Sequence, residues 1–141
     1  MVDSLSGYVL DSFALLAYLE GEAGTPKVRA VLEGAAAGRH PVYLSLINLG
    51  EVVYVVERER GLREAQQTLA AVDQLPLEVL PVTRATVLAA AHVKARFPLS
   101  YADAFAVVAA QERAATVMTG DPEFEPVAEA GLIAIDWLSR R

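Results

Sequence analysis

Short, unbroken apolar runs alternate along this chain with longer stretches in which apolar positions recur every three to four residues. "YVL" at 8–10 predicts a short buried strand, and "SFALLAYLE" at 12–20 a first helix. Thr25-Pro26 reads as an N-cap followed by proline at the first helical position, and Gly38 suits the end of that second helix. "PVYLS" at 41–45 predicts a second strand. "INLGEVVYVVERERG" at 47–61 predicts a long helix whose end turns basic and stops at Gly61. "LREAQQTLAAVDQL" at 62–75 predicts another helix and "LEVLPV" at 77–82 a third strand. Thr83 caps "RATVLAAAHVKARF", which Pro98 ends. "YADAFAVVAAQERA" at 101–114 predicts an alanine-rich helix, "ATVMTGD" at 115–121 a fourth strand running into a turn, and "LIAIDWL" at 132–138 a fifth strand. Strands apolar on both faces need helices on both sides. The pattern therefore predicts an α/β three-layer sandwich around a parallel sheet. No repeat, low-complexity tract or linker interrupts it, so residues 1–141 are expected to form a single domain.

Composition narrows the class. At 54% hydrophobic residues the chain can bury a sizeable core, which excludes disorder. The absence of cysteine excludes disulfides and thiolate metal sites, and it suits a cytoplasmic protein. The start, "MVDSLSGYVLDS", lacks the basic region of a signal peptide, and no apolar run has the ~18–20 residues of a membrane span. A soluble, cytoplasmic protein without membrane contact is expected. The net charge of −6 argues against a broad basic face for nucleic acid.

Sheets of this kind place ligands beyond the carboxyl ends of their strands, at a switch point. Asp11 lies just past the first strand and Asp121 just past the fourth. Each acid has a local explanation. Asp11 or Ser12 can cap the first helix, and Asp121-Pro122 is a good cap with proline at N1. Ser100-x-x-Asp103 and Asn48-x-x-Glu51 both fit capping boxes. The set is harder to explain locally. Glu51 and Asp103 sit on helices otherwise built for burial, and neither has a basic residue within one turn. Lys and Arg are absent near Asp11 and from 114 to 139 altogether. Charges are rarely buried without a partner. Four such carboxylates point to a bound cation, and oxygen ligands without cysteine point to Mg²⁺ or Mn²⁺ rather than zinc.

"YVLDSFALLAYL", "SLINLGEVVY", "LSYADAFAVVAA" and "VMTGDPEF" together resemble, in order, the four-acid pattern of PIN-domain ribonucleases. The length resembles VapC-type toxins of toxin–antitoxin pairs. The resemblance covers almost the whole chain. It implies a sheet of order 3-2-1-4-5, with Asp11 facing Asp121 across the switch point. It also implies Asp11, Glu51, Asp103 and Asp121 as metal-site and catalytic acids, with Ser12 and Thr119 as supporting polar groups. Glu123 would be an auxiliary acid where many relatives have Asp. Asn48 stands where many have Thr and would support Glu51. The implied activity is metal-dependent endoribonucleolytic cleavage, with RNA as substrate, a cognate antitoxin as partner and a homodimer or higher homo-oligomer as the assembly. The long helices 47–61 and 62–75 also carry more apolar surface than one sheet face needs, which independently favours a dimer.

The charge objection then weakens, because neutralising those four carboxylates alone brings −6 to −2. Candidates to meet RNA phosphates are Arg39, the helix end Arg58, Arg60 and Arg63, then Lys94 and Arg96, and Arg140 and Arg141. Tyr101 and Phe97 are candidates to stack on a splayed base. Histidine-based cleavage would need two placed imidazoles, but His40 and His92 sit in structural contexts. No G-x-S-x-G, Walker A loop or G-x-G-x-x-G is present. Asp11 with the later "TGD" also resembles haloacid-dehalogenase-type phosphatases. That pattern wants a second Asp where Phe13 stands and a Lys shortly before Asp121, and 114–120 has none. A PIN-like scaffold that binds RNA or protein without cutting is the other alternative.

Overall fold

The computed structural model describes residues 7–22 and 25–138. In chain order the elements are β1 Tyr8–Leu10, α1 Ser12–Glu20, α2 Thr25–Ala36, β2 Val42–Ser45 and α3 Leu46–Arg60. There follow α4 Leu62–Val72, β3 Glu78–Leu80, α5 Arg84–Arg96, α6 Tyr101–Arg113 and β4 Thr116–Thr119. A 3-10 turn, Pro122–Phe124, leads into α7 Glu125–Glu129, and β5 Ile135–Trp137 closes the sheet. The strands pair in parallel in the order β3-β2-β1-β4-β5. The predicted alternation of elements and the implied strand order are both present.

The sheet holds helices on both faces because its strands alternate. Val9 of β1 and Val117 of β4 join Leu99, Phe105, Val107 and Phe124 in one core. Leu10, Leu44 and Met118 point the other way and pack with Leu15, Val28, Leu32, Val52 and Val72. The layer on the first face is built from α5, α6 and α7, and on the second from α1 to α4. Side chains of period two on a pleated strand cannot all reach one face, so an all-apolar strand forces this three-layer arrangement. No helix among the described residues is long and apolar enough to cross a membrane.

Local chemistry differs from expectation at several ends. The first strand matches its apolar run, while the other four are shorter than theirs, because each strand ends where its pairing ends. Thr25 is not an accepting cap: its hydroxyl donates to the carbonyls of Ala17 and Glu22 and ties α2 to the end of α1. Helix α3 starts one residue earlier than predicted, at Leu46, and Ser45 caps it by accepting the Ile47 N–H at 3.2 Å. Asn48 and Glu51 therefore lie inside the helix, and no Asn48–Glu51 capping box forms. The short α7 had no strong periodic signal. Arg140 and Arg141 lie outside the described residues.

Candidate metal centre and its acid cleft

The starts of α1 and α6, the second and third turns of α3 and the end of β4 meet above the carboxyl ends of β1 and β4. A cleft of about 340 Å³ is lined there by Asp11, Ser12, Phe13, Leu16, Glu51, Val55, Ser100, Asp103, Asp121 and Glu123. All four acids singled out in the sequence are on its wall. The parallel pairing of β1 with β4, Leu10 opposite Met118, places Asp11 and the "TGD" turn side by side. Gly120 lets that turn lie against the Phe13 ring, since a Cβ at 120 would stand 2.5 Å from a ring carbon.

Asp11 is fully buried. It does cap α1, accepting the Ala14 N–H at 2.8 Å through Oδ1. Its other oxygen accepts from Thr119 Oγ1 at 2.5 Å, and Thr119 in turn accepts the Asp121 N–H at 3.0 Å. Burial pushes the Asp11 carboxyl up to about 8 against these two bonds, and the charges of Asp103 and Asp121 push the same way. Cap and site are thus not alternatives here, because one oxygen caps and the other faces the Thr119 hydroxyl.

Asp103 is buried in the first turn of α6. Ser100 caps that helix, its Oγ accepting the Asp103 N–H at 3.1 Å. Only this half of the predicted capping box exists. The Ser100 N–H donates to Glu123 Oε1 at 3.3 Å, not to Asp103. Burial raises the Asp103 carboxyl to about 7, opposed by Ser100 and reinforced by the charges of Asp121, Glu51 and Glu123. Asp121 caps the 3-10 turn by accepting the Glu123 N–H at 2.9 Å. Glu51, half-buried on α3, accepts from the Ser12 hydroxyl at 2.6 Å.

One carboxylate oxygen each from Asp103, Asp121 and Glu123 lies within 4.8 Å of the others. Opposite ligands of Mg²⁺ are separated by ~4.2 Å, twice its ~2.1 Å bond, so small side-chain rotations would let these three share a cation. Glu123 is therefore placed as closely as the acids the sequence ranked above it. Asp11 and Glu51 line the same cleft outside this trio. Among the described residues no Lys or Arg pairs with any of the five.

Other candidates fall into two groups. Lys94 and Arg96 end α5, whose antiparallel packing on α6 brings them to the Asp103 end, with Arg96 stacked 5.2 Å from the Phe97 ring centroid. Arg58 and Arg60 lie two turns or more along α3 from Glu51. Arg58 stacks on Tyr54 and Arg60 reaches Glu20 at 3.4 Å. Arg63 is exposed at the start of α4. Arg39 precedes β2, at the amino end of the sheet and away from the acids. Tyr101 turns from the cleft: two residues before Asp103 on a helix it faces the opposite side, edge-on to Phe105 at 5.2 Å. His40 is structural, its Nε2 2.8 Å from the Val31 carbonyl, and His92 is exposed mid-helix. The apolar wall of Phe13, Leu16 and Val55 escaped sequence reasoning. The four-residue spacings 12/16 and 51/55 carry the signal, placing Leu16 with Ser12 and Val55 with Glu51 on shared helix faces.

The raised Asp11 and Asp103 carboxyls have a consequence for the metal-free protein. The folded state binds protons that the unfolded chain has released, so these groups' stabilising contribution is complete below the ordinary carboxylate range. It is lost as pH rises through about 7 and about 8. In EDTA the protein should melt higher at about pH 6 than at about pH 8.5. A melting temperature that rises over that interval would show that these carboxyls are already ionised in the fold.

The parallel α/β sheet carries its carboxylate cleft at the switch point, beyond the ends of β1 and β4. The PIN domain family model matches residues 8–130, and the chain belongs to that family. Its fold is similar to a VapBC complex from Rickettsia felis bound to a promoter DNA fragment, with a TM-score of 0.72 and 14% identity over 94% of this chain and 98% of that one. It is similar to DNA-bound VapBC from Salmonella typhimurium, with a TM-score of 0.72 and 19% identity over 92% and 96%. A sarcin–ricin loop cleaving VapC toxin from Mycobacterium tuberculosis matches with a TM-score of 0.66 and 20% identity over 86% and 95%. No curated protein matches the sequence significantly.

Proposed function

We propose that this protein is a metal-dependent endoribonuclease of the VapC toxin type, cutting RNA phosphodiester bonds in the acid cleft with Mg²⁺ or Mn²⁺. The observation that carries this is the convergence of Asp103, Asp121 and Glu123 oxygens, backed by Asp11 and Glu51, without a basic partner among the described residues. Oxygen-only donors suit these hard cations. When bound, such an ion supplies a water activated near neutral pH and Lewis-acid stabilisation of charge on the phosphoryl oxygens. The chain's own groups do the rest. Asp103, Asp121 and Glu123 hold the cation, Asp11 and Glu51 complete the negative field, and the Thr119 and Ser12 hydroxyls keep those two carboxylates in place. The carboxylates hold the metal rather than attack phosphorus. Of the basic candidates, we assign Lys94 and Arg96, at the end of α5 that packs beside the start of α6, to RNA phosphate.

The relatives' descriptions as toxins and toxin–antitoxin complexes support a cognate antitoxin as partner. A groove of about 200 Å³ between α1, α3 and α4, lined by Leu16, Leu19, Val56, Arg60 and Thr68, meets the acid cleft at Leu16. An antitoxin tail lying there would present an Arg or Lys to the acids. The protein acts in the cytoplasm, where its RNA substrate is.

The direct test is incubation with RNA in Mg²⁺ or Mn²⁺ and in EDTA. Cleavage is expected only with the cation. Cutting that persists in EDTA would remove the metal from the mechanism. RNA bound but never cut would favour a non-catalytic scaffold, and phosphate release from a phosphomonoester would favour the phosphatase alternative.

A two-fold dimer is the expected assembly. Leu46 and Tyr54 are 45% and 54% exposed, and with Gly50 they form one stripe along α3 beside Glu51. Leu46→Asp with Tyr54→Glu should shift sedimentation from dimer to monomer at micromolar concentration. A wild-type chain that already sediments as a monomer would refute the dimer.

A further inference from the structure

Asn48 is fully buried in the first turn of α3, the helix of Glu51, and reaches α1 and α6, which bring Asp11 and Asp103 to the cleft. Its Nδ2 donates to Ser12 Oγ of α1 at 3.1 Å and to the Ala102 carbonyl of α6 at 3.2 Å. Ala102 immediately precedes Asp103. A carbonyl oxygen only accepts, so the amide nitrogen must face Ala102, because the flipped amide would set two acceptors together. Ser12 Oγ then accepts from Asn48, and its single proton is left to donate. Glu51 Oε1 receives it at 2.6 Å. A competing acceptor is close, since the Asn48 backbone carbonyl stands 3.4 Å from the same hydroxyl.

The remaining atom of the amide is informative. Asn48 Oδ1 is buried and has no hydrogen-bond partner. An unmet buried acceptor is costly. A side chain whose oxygen is unmet while both its N–H groups are engaged serves as a donor, not as a generic polar filler.

We propose that Asn48 is a positioning residue for Glu51, acting through Ser12. Its amide turns the Ser12 hydroxyl toward the Glu51 carboxylate and away from the backbone carbonyl, and it ties the start of α6 to that pair. Glu51 is thereby held toward the cleft in register with Asp103. The proposal rests on the cation reading of the cleft only in its consequence for metal binding. The relay itself is independent of it.

The experiment has two arms. In EDTA, urea midpoints are measured for wild type, Asn48→Leu, Glu51→Gln and the double variant, and all four again with Ser12→Ala. Asn48 Nδ2 bonds to Ser12, not to the Glu51 carboxylate, so coupling through the relay requires Ser12. Their effects should be non-additive with Ser12 present and additive without it. In the second arm, melting temperature is followed against Mn²⁺ concentration. Asn48→Leu, which keeps the branching of the side chain with somewhat more bulk and removes the unmet oxygen, should fold with a wild-type circular dichroism spectrum. Its Mn²⁺ midpoint should rise ~10-fold or more, the effect expected on losing a partner that orients a ligand. If the leucine variant does not fold, Asn48→Ala takes its place with the same readings. Additivity in both backgrounds would overturn the relay, and an unchanged Mn²⁺ midpoint beside a wild type that responds to Mn²⁺ would overturn Asn48 as a positioning residue for Glu51. Coupling through Ser12 in a wild type that does not respond to Mn²⁺ would uphold the relay and overturn the cation reading.

Discussion

Asp11→Asn should lower RNA cleavage by ~10³-fold or more while leaving a well-folded protein, because losing a charge that stabilises the bound cation removes several kcal/mol of transition-state stabilisation. The fold should survive for specific reasons. The cap role passes to the asparagine Oδ1, which can accept the Ala14 N–H that Asp11 accepts now. A buried carboxyl pushed up to about 8 contributes nothing favourable as a charge at neutral pH in the absence of metal. The substitution does cost the Thr119 hydroxyl its acceptor, since an amide NH₂ on that side would meet a donor. The Thr119 hydroxyl proton would have to turn away, while its oxygen can go on accepting the Asp121 N–H. The activity loss should therefore exceed the stability loss by a wide margin. Cleavage rates beside thermal melts in EDTA check this. A variant that cuts at near wild-type rate would remove Asp11 from the site.

Asp103→Asn should melt higher than wild type in EDTA at neutral or alkaline pH, and it should no longer respond to Mn²⁺. The capping alternative predicts the opposite, a loss of ~0.3–1 kcal/mol from removing a charge at a helix N-terminus with or without metal. The geometry separates the two. Ser100 satisfies the Asp103 N–H, while the Ser100 N–H goes to Glu123. The Asp103 carboxylate is thus free of the box and stands among Asp121, Glu51 and Glu123, with its carboxyl raised to about 7. Above that pH the fold must hold a charge it disfavours, so neutralising it should stabilise the metal-free protein by on the order of 1 kcal/mol, less what is lost with the helix-end charge. Cation binding to the native state stabilises wild type by an amount that grows with the logarithm of one plus the ratio of free cation to its dissociation constant, and the variant should forfeit that gain. Two melts per protein, in EDTA and in Mn²⁺, decide it. A variant that melts lower in EDTA yet keeps the full Mn²⁺ shift would make Asp103 a cap only.

Much of this protein was legible from its order of residues. "YVL" is an unbroken apolar run and "VM" the apolar centre of the fourth strand, in a sheet with helices on both faces, and Val9 and Leu10, like Val117 and Met118, do divide between the two cores. Pro98, Gly61 and Thr83 mark helix boundaries where backbone chemistry demands them. The placement of Asp11 and Asp121 just beyond strand ends follows from local position alone once the sheet is parallel. Those features depend on neighbours within a few residues, which is the range over which hydrophobic period and capping act.

What the chain order left open depends on side chains brought together from far apart. The Asn48–Glu51 box failed because Ser45, three residues earlier, competed for the helix start as β2 delivered it there. Glu123 joined Asp103 and Asp121 because its Oε1 takes the Ser100 N–H, across 23 residues of sequence. The raised Asp11 carboxyl arises from burial by packed elements and from a Thr119 bond across 108 residues, neither of which has a local signature. The sequence by itself determined the elements and the roster of acids. Only the tertiary structure decided which oxygens stand within reach of one cation, because that distance is set by how three helices and a strand end pack, not by any spacing along the chain.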